Sequence, residues 1–179
     1  LFPASITPTI FMMVQPNGQT NVPTQVSAIT AEDIRWSRCD IKSTSLLANV
    51  LLRNRADAKS AYEAILLRNG WVTEGTVSNV FIVEDRTIKT PALSPNILPG
   101  VTRALVIEVL DDANLTVEET DISESQLRRA DEIWLVNSLR NLVTVGSLDG
   151  ELVGRCVKHP LAPEVYTHFQ KYIARRQAH

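Results

Sequence analysis

The chain has 179 residues, of which 44% are hydrophobic and 21% charged, so it can bury the core of one ordinary domain. Its formal net charge of −2 argues against a nucleic-acid-binding surface, which requires a basic patch. The two cysteines, Cys39 and Cys156, provide no disulfide framework, and we expect a reducing, cytoplasmic setting.

The first residues are predicted to belong to a different structural unit from the rest. Thr9–Val14 is a β-type run, and the stretch after it is rich in Pro, Gly and Asn. A single strand cannot form a domain. We therefore predict that residues 1–15 are the terminal strand of an N-terminal domain that is mostly missing, residues 16–23 an interdomain linker, and residues 24–179 a complete second domain.

Strand and helix patterns alternate from residue 24 onward, which predicts an α+β domain with a mixed sheet. We expect an extended segment or short strand over Ile34–Asp40, and then a helix from about Thr44. The predicted core face of this helix carries Leu46, Leu47, Val50 and Leu51. The predicted strands that follow are Ala64–Leu67, Trp71–Thr73, Asn79–Val83, Glu132–Val136 and Leu142–Val145.

Turn signals and helix faces complete this prediction. Asn69-Gly70 is a strong hairpin signal between the first two of those strands. Pro99-Gly100 opens a helix, and a last helix ends the chain. The predicted core face of the helix after Pro99-Gly100 is formed by Leu105, Val106, Val109, Leu110 and Ala113. That of the last helix is formed by Leu161, Val165, Phe169, Tyr172 and Ile173.

Four polar features together indicate a chemical site. A lone lysine between a strand and a helix, such as Lys42, is ordinarily a solvated surface residue. Glu74, however, ends a strand before a glycine, and Thr102 lies where a helix N-terminus offers free N–H groups. Asn137 and Ser138 add donors after another strand. A lysine, a buried carboxylate and a phosphate-binding helix terminus are what pyridoxal phosphate requires.

Several blocks of sequence resemble the fold-type IV pyridoxal-phosphate enzymes, and among these the D-amino acid aminotransferases. The similarity runs from Leu1 to about Val145. It is carried by Glu32–Ser43, Leu46–Val50, Glu63–Leu66, Val72–Gly75, Ser78–Phe81 and Ile97–Arg103. The resemblance implies a large cofactor domain with a barrel-like mixed sheet and flanking helices.

The resemblance also implies a role for each candidate residue. Lys42 would form the Schiff base with pyridoxal phosphate and carry the substrate proton, and Glu74 would pair with the pyridine nitrogen. Leu98 would pack against the ring. The phosphate would be held by Val101, Thr102, Asn137 and Ser138.

The implied activity is transfer of an amino group between a D-amino acid, such as D-alanine, and a 2-oxo acid. Two departures keep alternatives open. Thr76 and Val77 stand where the family often has small hydroxyl residues, and Asn137–Arg140 is more similar to the aminodeoxychorismate lyases of the same fold. A lyase, a branched-chain aminotransferase or an inactive truncated cofactor domain are the alternatives.

The family has a smaller N-terminal domain that binds the substrate carboxylate and supplies an arginine to the phosphate. That carboxylate-binding region ends in an Arg-x-His-x-Phe-Pro stretch, to which Leu1-Phe2-Pro3 is similar. As an isolated fragment the chain is therefore expected to bind the cofactor weakly and turn over poorly. The resemblance further implies a homodimer.

Overall fold

A computed structural model describes residues 5–14, 25–154 and 160–177. These residues contain one mixed sheet and four helices. The strands are β1 Gln25–Glu32, β2 Glu63–Arg68, β3 Trp71–Gly75, β4 Asn79–Glu84, β5 Thr87–Thr90, β6 Val117–Glu119, β7 Glu132–Asn137, β8 Asn141–Leu148 and β9 Glu151–Leu152. The helices are α1 Leu47–Ala58, α2 Val101–Asp112, α3 Glu124–Arg129 and α4 Ala162–Gln177.

The strands follow the order β3-β2-β1-β8-β7-β4-β5-β6, with β9 paired to β8. β1 lies parallel to both β2 and β8, whereas β8, β7 and β4 form successive antiparallel pairs. The sheet curls into a half barrel with helices packed on it, which confirms the predicted α+β fold. β1 was not predicted from the sequence, although it connects the two parts of the sheet.

The predicted hairpin between β2 and β3 is confirmed. Arg68 pairs with Trp71, and the two residues between them, Asn69 and Gly70, have φ values of 53° and 81°. A type I′ turn requires positive φ at both central residues, and its twist matches that of the two strands in a hairpin.

The core lies on both faces of the sheet. On one face α2 and α4 pack around the buried aromatic side chains of Phe81 and Trp134. Val106, Val109 and Leu110 of α2 are buried as predicted, and so are Leu161, Val165 and Phe169 at α4. A second apolar cluster lies against α3, and a third joins α1 to β1 and β2.

The predicted core face of α1 is wrong. The helix begins at Leu47 and buries Leu52 and Ala56 against the sheet. The four side chains predicted to be buried are between 47% and 73% exposed: Leu46, Leu47, Val50 and Leu51. The cause is that two apolar stripes run along this helix, and periodicity does not say which stripe meets the sheet of its own domain.

Two extended predictions also differ from the structure. Of the two alternatives for Ile34–Asp40, a short strand or an extended segment, the strand does not form, and the segment contains a turn at Cys39-Asp40. Thr9–Val14 is not a strand either, because no described strand lies beside it to complete a ladder, and its Val14 side chain is 95% exposed. Residues 16–23 lie outside the described residues, and the division into domains stays a prediction. In the part of the chain that is described, no helix has the length and apolar character needed to cross a membrane.

Candidate active site

Lys42 lies in the irregular segment that leads from Cys39-Asp40 into α1, and it is exposed. Its nearest acidic neighbour in sequence, Asp40, is already engaged, since the Arg38 guanidinium donates to both carboxylate oxygens at 2.9 and 3.0 Å. Within the described residues, Lys42 makes no side-chain hydrogen bond or ion pair. The amine is therefore accessible to a ligand.

Glu74 is the next-to-last residue of β3 and is only 5% exposed. Its Oε1 accepts a hydrogen bond from Nη1 of Arg35. Its Oε2 accepts hydrogen bonds from Nδ2 of Asn79 at 3.2 Å and from the backbone N–H of Leu98 at 3.1 Å. Contacts from three separate segments thus fix the direction of this carboxylate, and the packing of Leu98 against a cofactor ring stays a prediction.

The guanidinium of Arg35 also binds a second buried carboxylate. Its Nε and Nη2 donate to Asp33 at 2.9 Å each, and Nη2 lies 3.1 Å from the carbonyl oxygen of Asn96. A nitrogen of Arg68 lies 3.2 Å from the same Asp33 carboxylate. The carboxylates of Asp33 and Glu74 are therefore balanced by two guanidinium groups, as buried ions require.

The pKa values in this network follow from burial and charge. Burial raises the pKa of Glu74 above its usual value, and the Arg35 charge only partly opposes that effect. Burial also acts to raise the pKa of Asp33, but the hydrogen bonds and charge of Arg35 outweigh it, so the pKa of Asp33 is lowered. Burial acts to lower the pKa of Arg35, but its carboxylate partners raise it overall, so Arg35 stays charged.

The N-terminus of α2 has free N–H groups and no side-chain cap. Gly100 is the N-cap and has no side chain to accept from the helix, and the first helical bond joins the Ala104 N–H to the Gly100 carbonyl. The N–H groups of Val101, Thr102 and Arg103 consequently have no partner in the helix. Such N–H groups, together with the helix dipole, favour a phosphate.

Two hydroxyl groups lie at the same end of the helix. Thr102 is buried, and its Oγ1 lies 3.4 Å from Oγ of Ser138, which is exposed in the turn after β7. The amide oxygen of Asn137 instead accepts the N–H groups of Leu139 and Arg140, each at 3.0 Å. Asn137 therefore shapes the turn that presents Ser138, and its own contact with a cofactor stays a prediction.

Asn79 lies between the Glu74 carboxylate and the N-cap of α2. Besides Glu74, its amide donates to the Leu98 carbonyl at 3.0 Å, and its backbone pairs with Val136 of β7. A Cβ at Gly100 would lie 2.1 Å from Oδ1 of Asn79, so only glycine fits there. The structure therefore brings the Glu74, Leu98, Asn79 cluster beside the start of α2.

Sequence reasoning missed Asp33, Arg35 and Asn79 as site residues. All three lie within the blocks that carry the family resemblance, and a buried Asp-x-Arg pair before the lysine was the available signal. No described contact joins Lys42 itself to Glu74. The segment of Lys42 is held near the site by the Asp40 N–H, which lies 3.3 Å from the carbonyl oxygen of Pro95.

Residues 3–148 match the family described as amino-transferase class IV. The chain belongs to this family. It is 42% identical over 148 residues to a D-alanine aminotransferase from Bacillus licheniformis, an alignment that covers 83% of this chain and 52% of that protein. The chain thus spans about half the length of the curated relatives that it matches.

Two solved structures share the fold. The branched-chain aminotransferase of Thermoproteus uzoniensis with norvaline has a TM-score of 0.76 and 26% identity, covering 84% of this chain and 52% of that one. A candidate 4-amino-4-deoxychorismate lyase from Legionella pneumophila has a TM-score of 0.73 and 27% identity, covering 92% and 59%. The fold is therefore that of the fold-type IV aminotransferases.

Proposed function

We propose that this chain is the cofactor-binding part of a D-amino acid aminotransferase that uses pyridoxal phosphate. The observation that carries the proposal is Glu74, a buried carboxylate fixed by Arg35, Asn79 and Leu98 beside the uncapped N-terminus of α2. The identity of 42% to a D-alanine aminotransferase supports the choice of substrate class.

The residues present fit pyridoxal phosphate. Lys42 would hold its aldehyde carbon, Glu74 its pyridine nitrogen, and the N–H groups of Val101 and Thr102 its phosphate, with further contact from the Thr102 and Ser138 hydroxyl groups. When bound, the cofactor supplies a ring that accepts electrons from the α-carbon of an amino acid. Leu98, whose N–H already binds Glu74, would pack against that ring.

Each side chain has a separate task in the reaction. Lys42 has no competing partner among the described residues, so its amine can bind a carbonyl carbon and afterwards take and return the α-proton. Glu74, paired with the Arg35 guanidinium, would accept a hydrogen bond from the protonated ring nitrogen. The α2 N-terminus offers neutral donors, so it fixes a phosphate without adding a basic side chain.

Two other reactions of the same fold are alternatives. The structural neighbour with norvaline is a branched-chain aminotransferase, and the neighbour from Legionella is a candidate lyase. The turn Asn137–Arg140 also resembles the aminodeoxychorismate lyases, whose reaction releases pyruvate. Products separate the three: D-alanine with 2-oxoglutarate tests the first, L-leucine the second, and pyruvate from aminodeoxychorismate the third.

Borohydride reduction after incubation with pyridoxal phosphate, followed by peptide mapping, tests the cofactor role. We expect a pyridoxyl group on Lys42. Lys59, an exposed lysine at the end of α1, serves as the internal control and should remain unmodified. A pyridoxyl group mainly on another lysine would contradict the proposed site.

We also propose that the exposed apolar surface of α1 binds a second copy of the chain. This surface consists of Leu46, Leu47, Val50 and Leu51. Burial of such a patch against its own copy removes apolar area from water, as in homodimer interfaces generally. Sedimentation of Leu47→Glu should give monomers, whereas Leu152→Glu, at another exposed leucine on β9, should behave as the wild type does. A monomeric wild type would contradict the proposal.

A further inference from the structure

Glu63 is a fully buried carboxylate that the proposed reaction does not use. It is the first residue of β2 and is 0% exposed. Both of its oxygens face the turn between β3 and β4. Oε1 accepts from the Thr76 hydroxyl and the Thr76 N–H, the latter at 3.2 Å, and Oε2 accepts from the Ser78 hydroxyl at 2.9 Å.

This turn joins two residues of the candidate site. Glu74 precedes it and Asn79 follows it, and these two side chains bind each other. The turn is tight, since the Gly75 N–H donates to the Ser78 carbonyl at 2.7 Å. A Cβ at Gly75 would lie 2.3 Å from Oγ of Ser78, so there is no room for the turn to repack around a side chain.

The turn is also tied to the helix that follows Lys42. Nδ2 of Asn49, in the first turn of α1, donates to the Thr76 carbonyl at 2.9 Å. Thr76 therefore contacts Glu63 through its hydroxyl and N–H, and α1 through its carbonyl. Displacement of the turn would move Glu74 relative to the segment that carries Lys42.

The Thr76 hydroxyl is oriented by this arrangement. Thr76 is buried, and its hydroxyl donates to Glu63. Arg53 lies beside the same carboxylate, with its Nη1 3.4 Å from Oε1 and its guanidinium over the Tyr62 ring at 5.3 Å. Both oxygens of a carboxylate at position 63 accept hydrogen bonds from these donors. An amide at this position would have only one acceptor oxygen, and its NH₂ group would face a donor.

We propose that Glu63 is a positioning residue, which fixes the turn over residues 75–78 and thereby holds the Glu74 carboxylate in register with Lys42. This inference rests on the proposed function, since it concerns how the chain presents Glu74 to pyridoxal phosphate. Glu63 acts through the turn and touches neither substrate nor cofactor.

Glu63→Gln tests the proposal, and Glu132→Gln is the matched control. Glu132 is also a buried glutamate, and it accepts from the backbone N–H of Leu161 and Ala162 and from the indole of Trp134, at the opposite end of β7 from Asn137. Both substitutions replace an acceptor oxygen by an NH₂ group within a similar set of donors.

The first readout is hydrogen exchange of the chain without cofactor. The Thr76 and Val77 N–H groups donate to Glu63 at 3.2 and 3.4 Å. For Glu63→Gln we expect these two amides to exchange about tenfold faster than in the wild type, because an acceptor of that turn has been replaced by a donor. In Glu132→Gln those amides should exchange at the wild-type rate. Unchanged exchange in Glu63→Gln would overturn the proposal. If Glu63→Gln does not unfold cooperatively, Ser78→Ala, which removes one donor to Glu63, replaces it.

The second readout is titration of each protein with pyridoxal phosphate, followed by the absorbance of the bound cofactor against pH. We expect Glu63→Gln to weaken binding about tenfold and to shift the midpoint of the absorbance change, whereas Glu132→Gln matches the wild type. If the amides of Glu63→Gln exchange faster but its affinity for pyridoxal phosphate and its absorbance midpoint are those of the wild type, the positioning role of Glu63 is overturned and the proposed function is not. No binding by any of the three proteins would instead overturn the proposed function and, with it, the role of Glu63.

Discussion

The Arg35 guanidinium donates a hydrogen bond to the Glu74 carboxylate from a side chain that is only 4% exposed. The same guanidinium holds Asp33 through two hydrogen bonds of 2.9 Å. Arg35 is thus the common partner of two buried carboxylates, and the charge state of Glu74 depends on it. Its planar fork matches this double contact, which a lysine would not reproduce.

Arg35→Lys should lower the free energy of unfolding by about 3–5 kcal/mol, because it leaves buried carboxylates without their hydrogen bonds. Urea unfolding at pH 7 measures the effect. Arg38→Lys is the control, since Arg38 pairs with Asp40 at the surface and the variant should unfold at nearly the same urea concentration as the wild type. Equal losses in the two variants would contradict the structural role of Arg35.

Asp33→Asn should destabilise the chain by about 3 kcal/mol at pH 7, with a smaller loss in acid. The pKa of Asp33 in the folded chain is below its usual value of 3.8, so the unfolded state takes up the proton first as pH falls. The wild type therefore loses this stabilisation as pH falls from 3.8 through the folded pKa, whereas the amide of the variant does not titrate. Urea unfolding at pH 7 and at pH 3 measures the difference in unfolding free energy between the wild type and Asp33→Asn at each pH. A difference that stays constant with pH would show that Asp33 contributes no charge.

Gly100→Ala should cost about 1–3 kcal/mol, because its Cβ would lie 2.1 Å from Oδ1 of Asn79. Asn79→Ala in the same chain makes room for that Cβ, so the double variant should lose less than the sum of the two single losses. Thermal unfolding of the four proteins measures the coupling. Gly146→Ala is the control, since its Cβ would meet only the Gln25 side chain at 3.2 Å. Additive losses would contradict the predicted clash.

Thr102→Val should weaken binding of pyridoxal phosphate about tenfold while the fold is retained, because it removes one hydroxyl donor to the phosphate. Titration followed by visible absorbance measures the affinity. Thr116→Val, beyond the other end of α2, is the control and should bind as the wild type does. If both variants bind equally well, the phosphate lies elsewhere.

Local patterns predicted those parts of the fold that local physics determines. The hairpin at Asn69-Gly70 needs positive φ at both residues, and the sequence supplies the two residue types that tolerate it. Helices α2 and α4 each carry one apolar stripe, which meets the sheet. β1 was missed because the alternation of polar and apolar residues in Gln25–Glu32 is broken at Ala28-Ile29, and because the strand is held by neighbours distant in sequence.

The site was predictable by residue type but not by arrangement. The resemblance identified Lys42, Glu74 and Thr102 as candidates, and the structure places Glu74 and Thr102 on adjoining elements joined through Asn79. The contact between Arg35 and Glu74 spans 39 residues of sequence, and no local pattern encodes such a pair. The exposed face of α1 was misassigned for a similar reason, since an apolar stripe does not specify the surface that covers it.

The pairing of β1 with β8 has a consequence for synthesis on the ribosome. The Thr30 N–H donates to Asp149, 119 residues later, so the middle of the sheet closes only after nearly the whole described chain has been made. Until then one edge of β1 has no neighbour and can pair with another nascent chain. Long-range parallel pairing is also slow to form. We expect aggregation to be most frequent in the interval before Asn141–Leu148 leaves the exit tunnel.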